Sequence, residues 1–188
     1  MHRLLITMVL AALVVSMPAQ AQRGSFLSME EMRQNTFGEQ AAALEWQTLW
    51  VNQEQRDAIE AILGHRFHGL RIRYLGDGQR TLWKFEEIGK EQLITVGVVV
   101  DSDRIANIEV MEYRESRGGE VRYPFFTGQF QGLGLLPEQA PALDGHIDGI
   151  TGATLSVRAM TKIATLALFC HQLTPFTHRE SSSQTAAR

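Results

Sequence analysis

The chain has 188 residues, of which 44% are hydrophobic and 21% charged, with only five prolines. This composition excludes a disordered or collagen-like protein. Acidic residues outnumber lysine and arginine by 21 to 18, which gives a net charge of −3. Since phosphate contacts supply most of the affinity for nucleic acid, we expect no nucleic-acid partner. A single cysteine forms no internal disulfide, so any redox chemistry here would need a cofactor.

Residues 1–21 have the three parts of a secretory signal peptide. A basic start, Met1-His2-Arg3, precedes fourteen uncharged and mostly apolar residues, and Ala19-Gln20-Ala21 follows as a cleavage site. Fourteen residues span about 21 Å as a helix, short of the roughly 30 Å hydrocarbon core, so a retained anchor is the weaker alternative. We therefore predict cleavage after Ala21 and an exported protein, periplasmic or associated with the outer face of the inner membrane.

The segment 22–92 is predicted to begin with helices. Ser28 with Glu31, and Asn52 with Gln55, have the spacing of capping boxes, in which two side chains satisfy the backbone at a helix start. Apolar residues at helical spacing between these caps predict one more helix. The predicted helices are 29–36, which Gly38 ends, then 39–50, and a third that runs from Asn52 to Gly64.

From residue 70 the apolar period changes from that of a helix to that of a strand. Alternating residues predict strands at 70–75, 81–85, 93–100 and 105–113. The turns between them are Asp77-Gly78, Gly89-Lys90 and Asp101-Ser102-Asp103, so the strands form an antiparallel meander. Residues 96–100 are almost all apolar, which is typical of a strand in mid-sheet with both faces covered. The predicted fold class is α+β, with N-terminal helices and a C-terminal helix.

The C-terminal helix is predicted from Ser156 to about Gln172, with a solvent-exposed (wet) side and a core-facing (dry) side. Its wet side carries Arg158, Lys162, Thr165 and Gln172, and its dry side carries Met160, Ile163, Ala164, Ala167 and Cys170. The run Asp148-Gly149-Ile150-Thr151-Gly152-Ala153-Thr154-Leu155-Ser156 stands directly before it. Helix N-termini attract anions through unpartnered N–H groups, and Gly152 leaves the backbone open to a phosphate. From the residues alone, the run is either a helix cap with its turn or an anion site.

This run resembles the flavinylation motif of the FMN-binding domain family, Asp-x-x-Ser/Thr-Gly-Ala-Thr/Ser followed by a helix. The family includes the C subunit of sodium-pumping NADH:quinone reductase and the G subunit of the related ferredoxin-linked complex. Upstream, the stretch 126–132 is similar to the aromatic-x-x-Gln-Phe-x-Gly segment that precedes the motif in the family. The resemblance covers about residues 93–168. The loop Glu115-Ser116-Arg117-Gly118-Gly119 departs from it, because it lacks the proline that relatives carry near the flavin.

The resemblance implies that Thr154 carries FMN through a phosphoester bond. It implies a separate exported flavin transferase that uses FAD as donor and Mg²⁺, and that releases AMP. Asp148 would then be recognised by the transferase or shape the turn, and Ser156 would cap the helix and leave Thr154 free. The predicted cofactor-binding residues are Thr154, Thr151, Gly152, Ala153, Asp148 and Ser156. Aromatic side chains that could surround the flavin ring, or simply pack in the core, are Tyr123, Phe125, Phe126 and Phe130.

The mature chain is accordingly divided into N-terminal helices and first strands (22–92), the core of the FMN-binding domain (93–174) and a disordered tail (175–188). We predict no metal site, because Leu155 stands where the calcium-loop pattern that begins at Asp144 needs a glutamate.

The expected function is electron transfer between membrane or periplasmic redox partners, whose identity the sequence does not give. We do not expect this chain to catalyse a reaction on a substrate of its own. The alternatives are a reversible FMN binder and a non-redox accessory module with Thr154 unmodified.

Overall fold

Six strands form one antiparallel sheet in the part of the chain that the computed structural model describes, residues 23–137 and 141–177. The order across the sheet is β1-β6-β5-β4-β3-β2. Helices lie on both faces, which confirms the predicted α+β class. The predicted signal peptide and residues 178–188 of the predicted tail lie outside the described residues. The elements are β1 (Gly24–Ser25), α1 (Met29–Phe37), β2 (Gln47–Trp50), α2 (Gln53–Leu63), β3 (Arg71–Gly76), β4 (Arg80–Ile88), β5 (Leu93–Asp101), β6 (Arg104–Tyr113), α3 (Pro124–Thr127) and α4 (Thr154–Gln172).

Both predicted capping boxes are present. Before α1, the side chain of Ser28 accepts a hydrogen bond from the backbone of Glu31 at 3.1 Å, and the Glu31 carboxylate accepts one in return from the Ser28 N–H at 2.7 Å. Before α2, Asn52 and Gln55 make the same reciprocal pair at 2.9 and 3.0 Å. Gly64 ends α2 in the left-handed conformation, with φ +71°. These two helices therefore begin and end within a residue or two of the prediction.

The predicted helix 39–50 is wrong. Residues Gly38–Ala43 form a short 3₁₀ helix, and the chain then becomes strand β2, which pairs with β3. Arg33 of α1 takes the carbonyl groups that a longer helix would have used, because it donates to the carbonyl of Ala41 at 2.6 Å and of Leu44 at 2.8 Å. Tertiary contacts thus override the helical spacing of the apolar residues in this stretch.

Strand β5 is covered on both faces, as predicted. Its residues Val96, Val98 and Val100 are fully buried in the larger hydrophobic cluster, together with residues of α4. On the opposite face, Val99 packs in a smaller cluster that includes Met32 of α1. Gly97 makes this second contact close, since a Cβ atom there would lie 1.9 Å from the sulfur of Met32. The sheet is therefore the middle layer of the fold.

Helix α4 packs on strands β4, β5 and β6 and begins at Thr154, two residues earlier than predicted. The five residues of its predicted dry side are all buried, and burial raises the pKa of the Cys170 thiol. Thr165 was predicted on the wet side but is only 5% exposed, and its hydroxyl donates to the carbonyl of Thr161 at 2.9 Å. Threonine can be buried in a helix in this way, because the backbone satisfies its hydroxyl. No helix of the described segments combines the length and apolar character needed to cross a bilayer.

Candidate functional site

A cavity of about 580 Å³ lies at the N-terminus of α4. Three separate segments meet there: the turn between β4 and β5, the loop that follows β6, and the first residues of α4 with the turn before them. The lining residues are Lys90, Glu115, Ser116, Arg117, Gly152, Ala153, Thr154, Leu155 and Ser156. The predicted motif thus forms one side of the cavity, and two distant parts of the chain form the other.

The start of α4 leaves backbone donors available at this cavity. Ala153 occupies the N-cap position, and no side chain caps the helix. The first intrahelical bond runs from the N–H of Val157 to the carbonyl of Ala153 at 2.9 Å, so the preceding N–H groups have no helical partner. Thr154, the first helical residue, is exposed. Gly152 has φ +82°, and its missing side chain leaves open space at the cavity wall.

Ser156 does not cap the helix, contrary to prediction. It lies within the first turn of α4 and is 4% exposed, and its hydroxyl oxygen is 2.9 Å from that of Tyr113 at the end of β6. Tyr113 donates its own proton to the carbonyl of Arg117, so Ser156 acts as the donor to Tyr113. The loop after β6 passes close by, because a Cβ atom at Gly118 would lie 2.9 Å from the Ser156 oxygen. These contacts fix the start of α4 against the sheet.

Glu115 joins the other two segments of the cavity. Its side chain is buried, and one carboxylate oxygen accepts hydrogen bonds from the backbone N–H groups of Lys90, Glu91 at 2.6 Å and Gln92 at 3.0 Å. Burial alone would raise the pKa of this carboxyl, but the three N–H donors outweigh it and lower the pKa below the ordinary value of 4.5. The ionised carboxylate therefore holds the β4–β5 turn, and with it Lys90, at the cavity.

Two cations face the cavity beside the uncapped helix. Lys90 is exposed and lies 3.3 Å from the carboxylate of Glu91. The guanidinium of Arg117 has no hydrogen bond or ion pair with any residue of 23–137 or 141–177. Helix N-termini and basic side chains both favour negative charge, so this end of the cavity suits a phosphate group. Neither cation is predicted as a site residue from the sequence, since only the folded sheet brings positions 90 and 117 next to the motif.

Four of the six predicted cofactor-binding residues line the cavity: Gly152, Ala153, Thr154 and Ser156. Thr151 is exposed outside the lining. Asp148 is also outside it, with a side chain that is 85% exposed. The backbone N–H of Asp148 donates to the side-chain oxygen of Gln129 at 2.7 Å, which connects the motif to the upstream segment 126–132. Asp148 therefore belongs to the turn and not to the wall of the cavity.

The four aromatic residues suggested for a flavin ring do not line the cavity. Phe126 and Phe130 are fully buried in the core and meet edge to face, with ring centroids 5.5 Å apart. Tyr123 and Phe125 are 45% and 64% exposed and stack on each other at 6.3 Å. Core packing is thus the correct interpretation for the first two. The cavity itself contains one large apolar side chain, Leu155.

The resemblance of residues 144–149 to a calcium loop has a structural explanation. The two carboxylate oxygens of Asp144 are used by the N–H of Gly134 at 2.9 Å and by the guanidinium of Arg104 at 3.0 Å. Within the described segments, no group of three or more acidic, histidine or cysteine side chains has the arrangement of a metal site. Asp144 therefore fixes the irregular segment between α3 and α4 to the β5–β6 hairpin.

The fold and the site define an α+β domain that presents an exposed hydroxyl and an uncapped helix N-terminus at one cavity. Residues 89–168 match the family model of the FMN-binding domain. The crystal structure of Shewanella oneidensis NqrC is similar, with a TM-score of 0.44 and 20% sequence identity over 60% of this chain. This chain spans 65% of the length of that one. A search of the curated proteins finds no match.

Proposed function

We propose that this chain is an exported electron carrier that holds FMN on Thr154 through a phosphoester bond. The observation that carries the proposal is the position of Thr154, which is exposed as the first residue of an uncapped helix in a cavity lined by Lys90 and Arg117. A phosphate attached to this hydroxyl would meet the free N–H groups of the helix and two positive charges. The match of residues 89–168 to the FMN-binding domain family supports the choice of FMN.

In the proposed attachment, the oxygen of the Thr154 hydroxyl attacks the FMN-side phosphorus of FAD. The bond between the two phosphates breaks, AMP leaves, and the hydroxyl loses its proton as the phosphoester forms. A separate exported transferase with Mg²⁺ performs this step. Glu115 is a poor base for it, because three backbone N–H groups stabilise its ionised form. This chain therefore contributes the accessible hydroxyl and the phosphate-binding helix terminus, while the base comes from the transferase.

Once attached, FMN supplies a ring system that accepts and releases electrons one or two at a time. Covalent attachment suits an exported carrier, because a dissociating cofactor would be lost by dilution outside the cytoplasm. The proposal of export rests on residues 1–21, with their basic start, apolar stretch and small-residue cleavage site. We propose that the electron donor and acceptor are redox proteins of the membrane or periplasm.

The test is to produce the full chain together with an exported flavin transferase, denature it and look for flavin fluorescence on a gel. We expect a fluorescent band and a mass increase of one FMN group. Thr154→Ala should abolish both, and Thr154→Ser should keep both because it retains the hydroxyl. Thr151→Ala is the matched control, since that hydroxyl is exposed outside the cavity lining.

Three outcomes would contradict the proposal. Yellow protein that loses its colour on denaturation would indicate a reversible FMN binder. Colourless protein in the presence of an active transferase, verified on a second substrate protein, would indicate an accessory module with Thr154 unmodified. Fluorescence that persists in Thr154→Ala and disappears in Thr151→Ala would move the attachment to the other threonine of the motif.

A further inference from the structure

A second cavity, of about 350 Å³, lies where strands β3 and β4 separate. The two strands pair only at three positions, from Gly76 opposite Thr81 to Tyr74 opposite Trp83. Beyond Trp83, β4 stays paired with β5 as far as Ile88, while β3 stays paired with β2 as far as Arg71. The sheet therefore opens between Arg71–Arg73 and the second half of β4. We call this opening the strand cleft.

The inner wall of the strand cleft is apolar, with Phe67, Ile72 and Phe85 among its lining residues. The ring of Phe85 is nearly parallel to that of the buried Trp83, with centroids 5.9 Å apart and an angle of 6° between the planes. These side chains provide flat, rigid surfaces next to the opening. Aromatic and aliphatic walls of this kind are common in small-molecule sites.

Helix α2 holds one side of the strand cleft in place. The carboxylate of Glu60 accepts a hydrogen bond from the N–H of Phe67 at 3.0 Å. The guanidinium of Arg56 donates to the carbonyl groups of Phe67 and Gly69, both at 3.2 Å. The loop that carries Phe67 is thus fixed by two charged side chains of one helix, so a ligand would not have to order it.

Three cations line the strand cleft, Arg71, Arg73 and Lys84, and no carboxylate does. All three are exposed, and none forms an ion pair with another described residue. Arg73 lies over the ring of Trp46, 4.8 Å from its centroid, which places a positive charge at the rim. The strand cleft thus combines an apolar wall with an unbalanced positive charge, in a chain whose net charge is −3.

We propose that the strand cleft is a binding site for a small organic anion with a flat aromatic body, such as an aromatic carboxylate. The ring would lie against Phe67 and Phe85, and the carboxylate would face Arg71, Arg73 and Lys84. The cavity volume is at the lower end of the range of small-molecule sites, about 300–1,000 Å³. The lining residues lie outside the segment 89–168, so the proposal does not depend on Thr154 or on FMN.

The test is a titration of the ¹⁵N-labelled protein with 2-naphthoate, followed by amide shifts. We expect saturable shifts at Gly69, Ile72 and Phe85. The neutral analogue 2-naphthol should bind up to about fivefold more weakly, since one partly exposed ion pair is worth up to about that factor. Arg71→Gln and Lys84→Gln should each weaken 2-naphthoate binding by a similar factor. Arg158→Gln removes an exposed cation of α4 that does not line the strand cleft and should leave the affinity unchanged.

Three results would overturn the proposal. One is the absence of saturable shifts around the strand cleft. Another is a set of shifts confined to the cavity at Thr154. The last is equal affinity for 2-naphthol and 2-naphthoate, which would show that the cations have no part in binding. Amide shifts elsewhere in the spectra of the glutamine variants report whether the fold is intact, so a loss of binding can be separated from unfolding.

Discussion

The hydroxyl oxygens of Tyr113 and Ser156 lie 2.9 Å apart, and this hydrogen bond joins the end of β6 to the first turn of α4. The bond is buried, and Tyr113 uses its own proton on the carbonyl of Arg117. One tyrosine hydroxyl therefore connects the sheet, the loop that carries Arg117 and the helix that begins at Thr154.

Replacing that tyrosine by phenylalanine should destabilise the domain. In Tyr113→Phe, both the Ser156 hydroxyl and the Arg117 carbonyl lose a buried partner, which costs about 1–3 kcal/mol. The free energy of unfolding from urea denaturation measures the loss. Tyr123→Phe is the control, because Tyr123 is 45% exposed and the hydrogen bond that its hydroxyl accepts from Arg122 lies at the surface, so its removal should change stability by less than about 0.5 kcal/mol. An equal decrease in the free energy of unfolding of both variants would show that the hydrogen bonds of Tyr113 do not contribute more to stability than an exposed hydroxyl does.

The two cations at the Thr154 cavity should speed flavin attachment. Lys90→Gln and Arg117→Gln remove charges that face the proposed phosphate, and each should slow attachment by about two- to fivefold, as for a partly screened ion pair. Higher ionic strength should reduce the difference from the unsubstituted protein. The measurement is the rate at which covalent fluorescence appears with purified transferase and FAD. Lys84→Gln is the control, because it removes an exposed cation outside the lining of the Thr154 cavity, and an equal slowing in it would indicate a general effect of net charge.

The buried carboxylate of Glu115 should make stability depend on pH in the acidic range. The pKa of Glu115 is lowered in the folded protein. Its contribution to the free energy of unfolding is therefore present above about pH 4.5 and is lost as the pH falls through the lowered pKa of the folded state. Glu115→Gln should therefore lower the free energy of unfolding at pH 7 by about 1–3 kcal/mol, with a smaller difference at pH 3. Glu39→Gln, an exposed control, should show little change at either pH.

The pKa values of two histidines should be shifted in opposite directions from the ordinary value of 6.5. A hydrogen bond to Glu87, 2.9 Å from the ring of His65, raises the pKa of His65. Burial lowers the pKa of His171, against the attraction of Asp103 and Asp101. An NMR titration of the imidazole protons should show His65 mostly protonated and His171 mostly neutral at pH 6.5. The reverse order would contradict both contacts.

The same shifts give the two histidines opposite effects on stability. The contribution of His65 is present below pH 6.5 and fades as the pH rises through its raised pKa, so the effect of His65→Gln should shrink between pH 6 and pH 8.5. The contribution of His171 is present above 6.5 and is lost as the pH falls through its lowered pKa. Denaturation curves at each pH measure both effects.

Local signals in the sequence were sufficient for much of the fold. The caps at Ser28 and Asn52 and the turns at Asp77-Gly78 and Asp101–Asp103 act within a few residues, and the corresponding helices and hairpins form as predicted. The helix predicted at 39–50 fails because Arg33 and strand β3 compete for the same backbone groups. That competition depends on packing between elements, so the spacing of apolar residues along the chain does not reveal it.

The candidate site likewise contains some residues that the local sequence identifies and others that only the tertiary structure brings in. Gly152 and Thr154 could be found from the motif, because both lie in one continuous run before a helix. Lys90 and Arg117 could not, since the buried carboxylate of Glu115 and the loop at Gly118 bring them to the cavity. Ser156 was given the wrong role for a related reason. Its partner, Tyr113, is 43 residues away in the chain.

The length of helix α4 separates Thr154 from the C-terminal end of the helix, which is useful for immobilising the protein on a surface. Between Thr154 and Gln172 the helix rises by about 27 Å along its axis, at 1.5 Å per residue. Immobilising the protein on a surface through a short linker just beyond this helix would leave the opposite pole of the molecule facing the solution. The proposed transferase or redox partner could then approach Thr154 without steric hindrance from the support.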